Sequence, residues 1–101
     1  MTRYYLIEDG RLTELDKPAL SCWINVSPPF EPNELETLSE QFNIPLDFLT
    51  DSLDIDERAR YEREDDIRLI LVNTPMLNEI DLDNEALYIT APIGIMRGSC
   101  L

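Results

Sequence analysis

The chain has 101 residues, 44% of them hydrophobic, which is enough for one modest core and too much for a disordered segment. Its 21 acidic residues against 8 basic ones give a net charge of -13, so its surface repels nucleic-acid phosphates and anionic lipid headgroups and attracts cations. DNA and RNA binding are excluded as leading functions.

The opening "MTRYYLIEDG" lacks the apolar core of a signal peptide, and the longest aliphatic run, Leu69 to Val72, is far short of the roughly 20 residues that span a bilayer. Residues 1–101 are expected to be soluble by themselves, as one domain or part of one. Cys22 and Cys100 show no CxxC spacing, and without any histidine the zinc signatures are absent. A reduced, cytosolic setting fits.

"RYYLIEDGRLTELD" reads as two short strands around Asp9-Gly10, a dipeptide that tolerates positive φ and suits a hairpin turn. "ALSCWINVS" alternates apolar residues at Leu20, Cys22, Ile24 and Val26 and predicts a third strand that ends at Pro28-Pro29. Trp23, inside that strand, is expected to pack in the core. "NELETLSEQF" spaces Leu35, Leu38 and Phe42 as a helix, with Asn33 and Glu36 in capping-box positions.

Pro45 suits the first turn of a second helix, whose apolar stripe would be Leu46, Leu49 and Leu53. The two short helices, joined by "NIP", should pack on a sheet. "IRLILVNTPML" and "ALYITAPIGIM" read as two longer antiparallel strands joined through "NEIDLDNE". "RGSCL" predicts a turn at Gly98-Ser99 into another strand, yet these residues stop at apolar Leu101, so the sheet is expected to be incomplete within them.

At 100° per residue, the leucines of the second helix fall within about 60°, and Asp47, Asp51 and Asp54 occupy a similar arc well away from them. The plain reading is a solvated acidic face. The functional one is an oxygen-ligand site for Mg²⁺, which takes one or two carboxylates and keeps water elsewhere; a carboxylate from a second subunit would turn such a site into a clamp. Arg58, Arg60 and Arg63 could instead neutralise these acids within the chain or pair across an interface.

Asp81, Asp83 and Glu85 invite an EF-hand reading, which fails because the sixth position is Ala86 and the twelfth is Pro92. No histidine stands ready as a base for Ser27 or Cys22, and the three glycines form no phosphate loop. The chain is not expected to be an enzyme.

"CWINV", the "FNIP" junction before a short helix ending "DSLD", and "ERARYE" running into an aliphatic strand occur in an order that resembles the amino-terminal cytoplasmic domain of the CorA family of magnesium and cobalt transporters. The resemblance spans roughly Ser21 to Gly94; Arg58-Ala59-Arg60 departs from the family's Arg-Pro-Arg or Arg-Pro-Lys. It implies an α/β (α+β) fold, a mixed β-sheet with short helices packed against it. It further implies that residues 1–101 are the amino-terminal part of the cytoplasmic domain of a homopentamer in the inner membrane, anchored only by carboxyl-terminal helices that these residues lack.

The family's pore signature, Gly-Met-Asn, is likewise absent from them. The resemblance places Asp51 at a regulatory divalent-cation half-site whose partner acid, from the next subunit, would lie beyond Leu101. Thr50, an acid in some relatives, puts a second site in doubt. Mg²⁺ or Co²⁺ is expected as a weak regulatory ion, with no tightly bound cofactor. The alternative is a free-standing acidic protein-interaction domain of the same fold.

Overall fold

The structure, a computed structural model, describes residues 1–79, 85 and 87–98. The reverse turn expected between the two long strands, most of the rejected EF-hand loop, and the expected strand after Gly98 lie outside the described residues. The chain forms two compact units, Met1–Glu34 and a second that begins at Leu35.

In the first unit, β1 (Thr2–Glu8), β2 (Arg11–Leu15) and β3 (Trp23–Val26) form an antiparallel sheet in the order β2-β1-β3. The hairpin closes at Asp9 and Gly10, with φ of 52° and 74°. Positive φ at both central residues matches the right-handed twist of the strands, which is why an Asp-Gly pair works there. Tyr4, flanked by Leu15 and Ile24, shares the half-buried face with Leu6 and Val26.

Trp23 pairs with Tyr5 on the other face and is 60% exposed. The expectation that it packs in the core is corrected by the strand's own period of two. If Ile24 and Val26 point inward, Trp23 and Asn25 must point outward.

Glu34 fixes the start of the chain. Its Oε1 accepts from Thr2 Oγ1 at 2.6 Å and lies 3.0 Å from the Met1 ammonium, while its Oε2 accepts from the Glu31 backbone N–H at 3.0 Å. The hydrogen bond from Thr2 outweighs the opposing effect of burial, and the carboxyl is held below its ordinary value.

The second unit holds α1 (Glu34–Phe42) from Leu35 onward, α2 (Leu46–Asp51), β4 (Arg60–Glu64), β5 (Ile67–Leu77) and β6 (Tyr88–Arg97). Asn43, at φ 55°, ends α1 in the left-handed conformation that asparagine tolerates better than most residues. Ser39 ties the junction together, its Oγ donating to the Ile44 carbonyl at 2.6 Å and its own carbonyl accepting from the Ile44 N–H at 3.1 Å. Pro45 stands at the cap of α2, one position earlier than expected, and its carbonyl accepts from the Phe48 N–H at 3.0 Å.

The second sheet is antiparallel with order β4-β5-β6. Leu69 and Leu71, 0% and 1% exposed, point toward the face on which α2 packs, and Phe48, Leu49 and Ser52 of the helical segment are buried as well. Gly94 of β6 makes this approach possible, because a Cβ there would fall on the Ser52 side chain.

The α+β class is the expected one. All strand pairing among the described residues is antiparallel, where a mixed sheet was anticipated. Within each sheet the turns at Asp9-Gly10 and Asp65-Asp66 reverse the chain in two residues, and a parallel pair would need a crossover of a dozen or more.

Candidate functional site

The acidic stretch from Asp47 to Glu62 is divided by the end of α2. Asp47 and Asp51 lie on the helix, whereas Asp54 follows it in a turn where its Oδ1 accepts from the Asp56 N–H at 2.9 Å. The three carboxylates expected on one helical strip therefore do not share one. A six-residue helix is too short to carry residues 47, 51 and 54 together.

Asp51 is brought instead to an arginine. Arg60 pairs with Leu71 in the β4–β5 register, and Leu71 pairs with Gly94, over which Ser52 sits. The sheet register thus carries the Arg60 side chain to the end of α2. Arg60 Nη2 lies 2.7 Å from Asp51 Oδ2 and 3.7 Å from Glu62 Oε2, and its Nη1 lies 2.6 Å from Glu57 Oε2.

Arg60 and Asp51 are 27% and 28% exposed at the side chain, so the pair is reachable from solvent. Partial burial works against the guanidinium charge, but the hydrogen bonds to Glu57 and then Asp51 prevail and raise its pKa above the ordinary arginine value. One cation surrounded by Asp51, Glu57 and Glu62 leaves the cluster with excess negative charge. Of the arginines considered beforehand as internal neutralisers, Arg60 takes that part toward Asp51; Glu62 was not singled out, and only the pairing of β4 with β5 reveals it.

Among the described residues, no group of three or more cysteines, aspartates and glutamates is arranged to hold a metal ion, and no helix is long and apolar enough to cross a membrane. Cys22 is a half-buried free thiol. Asp51 thus stands at the end of α2, paired with Arg60 and partly open to solvent.

No protein-family model matches the chain, and no curated protein sequence matches it. Its structure is similar to that of the CorA magnesium transporter from Methanocaldococcus jannaschii, with a TM-score of 0.74 and 23% sequence identity over 98% of this chain. The similarity covers 30% of the transporter chain. The shared feature is the fold.

Proposed function

We propose that this chain is the amino-terminal part of the cytoplasmic regulatory domain of a CorA-like magnesium or cobalt transporter, a homopentamer of the inner membrane, and that it contributes Asp51 to a divalent-cation half-site between subunits. The likeness of fold across 98% of the chain carries the reading. The partly exposed carboxylate of Asp51 at the end of α2 supports its second half.

In the assembled protein a carboxylate of the neighbouring subunit completes the site. At high internal Mg²⁺ the ion screens acids across each subunit boundary and holds a closed, symmetric pentamer; as Mg²⁺ falls, repulsion loosens the boundary and favours opening. Arg60 supplies Asp51 with a counter-charge while the ion is absent, so ion binding exchanges one cation for another. Mg²⁺ keeps most of its water and needs only one or two carboxylates, which suits a site built from two half-sites.

The test is limited proteolysis of the full-length protein across a Mg²⁺ titration. Asp51→Ala is expected to weaken Mg²⁺-dependent protection of this domain, and unchanged protection would remove Asp51 from the site. A second reading, an acidic protein-interaction domain of the same fold, is favoured by the exposed apolar residues Ile70, Val72, Ile93 and Ile95. A specific soluble partner, together with no effect of Mg²⁺ on the full-length protein, would decide for it.

A further inference from the structure

The face of the β4–β5–β6 sheet turned away from Leu69 and Leu71 ends in a row of arginines. Arg63 pairs with Arg68 across β4 and β5, and Arg68 pairs with Arg97 across β5 and β6. Directly opposite residues share a face, with Cβ atoms about 5 Å apart from strand to strand. Like charges so placed destabilise a sheet.

The chain has 21 acids for 8 bases and could relieve this with a neighbouring carboxylate. Among the described residues, however, ion pairs are made by the Met1 ammonium, Arg3 and Arg60, and by none of these three. Arg63 Nε donates to the Asp65 carbonyl at 3.1 Å, which holds that side chain over the hairpin turn.

The three arginines, with Asp66 and Gly98, line a concavity of about 230 Å³. Gly98 itself packs closely on Ile67, whose Cδ1 would lie 2.7 Å from a Cβ there. The charged lining of the concavity is three arginines and one carboxylate, that of Asp66.

We propose that this row binds a multiply charged oxyanion of the phosphate class, free or as a phosphomonoester. Guanidinium groups present planar forks that match phosphate oxygens two at a time. A tetrahedral dianion offers enough acceptors for three neighbouring forks at once, and a halide does not. The net charge of -13 opposes any anion at long range, so the site selects for one that makes several short charge-assisted bonds together. Binding is therefore weak, local and reduced by salt.

Calorimetric titration of the chain with inorganic phosphate tests this, beside Arg68→Gln and the control Arg11→Gln, which removes the same charge from β2. Removing the central member of a like-charged row should not unfold the sheet, and circular dichroism melting verifies that. The expected result is saturable binding with a dissociation constant of about 1 mM or tighter, weakened at least about tenfold by Arg68→Gln and unchanged by Arg11→Gln.

Vesicles of phosphatidylcholine with and without phosphatidic acid form a parallel arm. Arg68-dependent binding to phosphatidic acid assigns the phosphomonoester to a membrane, and phosphate binding without it assigns a soluble ligand. No saturable phosphate binding, or equal binding by all three proteins, overturns the proposal. So does an Arg68-dependent complex with polyglutamate when phosphate is inert, which would make the row a contact for an acidic polypeptide.

Discussion

Gly94 shows how a single missing side chain sets the distance between α2 and its sheet. The buried hydroxyl of Ser52 donates to the Phe48 carbonyl at 2.6 Å and occupies the space that a Cβ on Gly94 would need. Gly94→Ala is expected to destabilise the chain by about 1–3 kcal/mol, as overpacking of a close contact does, with urea denaturation as the measurement. Adding Ser52→Gly should recover part of that loss.

Glu34 makes a second prediction at this scale. Its folded pKa lies below the ordinary 4.5 through the Thr2 hydrogen bond, with burial opposing. A depressed carboxylate contributes stability that is fully present above the unfolded pKa and is lost as pH falls through the folded one. Glu34→Gln should accordingly flatten the acid side of the stability profile and leave a deficit near neutrality, measured by thermal melts between pH 3 and pH 7, roughly the range over which carboxylates titrate.

Among the elements, α2 separates what the sequence makes visible from what it does not. Its start at Pro45 follows from the proline, whereas its end at Asp51 falls short of the Leu53 to which the leucine spacing carries it. Its buried face does not follow, because the helix stops after six residues and the stripe of Leu46, Leu49 and Leu53 never completes. Leu49 and Phe48 are buried at 7% and 3%, whereas Leu46 and Leu53 are 39% and 43% exposed. Leu49→Ala is expected to cost about 2–5 kcal/mol and Leu53→Ala well under half of that, by the same denaturation measurement.

Strand β4 was hidden for a different reason. "RYERE" is charged on both faces, so apolar alternation gives no signal, and its pairing rests on the Asp65-Asp66 turn with Asp65 at φ 52°. Asp65→Val puts a β-branched side chain in the left-handed region and should cost roughly 1–2 kcal/mol. The hairpin at Asp9-Gly10 was legible because its turn residues name their own backbone geometry. The meeting of Asp51 with Arg60 was not, since it depends on a register between β4 and β5 that sequence spacing alone does not set.

For the whole molecule, the order of elements and the motifs "CWINV", "FNIP" and "ERARYE" pointed to the fold that the CorA transporter from Methanocaldococcus jannaschii shares. The acidic charge was visible from composition, but its distribution was not. Asp51, Glu57 and Glu62 gather around Arg60 near the end of α2, while Arg63, Arg68 and Arg97 share the opposite face of the same sheet.

The central claim is that Asp51 exchanges Arg60 for a divalent cation, and a Mg²⁺ titration of proteolytic protection in the full-length protein, comparing wild type with Arg60→Gln, tests it most directly. Freed of its internal competitor, Asp51 should take the ion more readily, so the account predicts that Arg60→Gln shifts the protection midpoint to lower Mg²⁺. A midpoint that stays in place, or moves to higher Mg²⁺ while the domain remains folded, would contradict it.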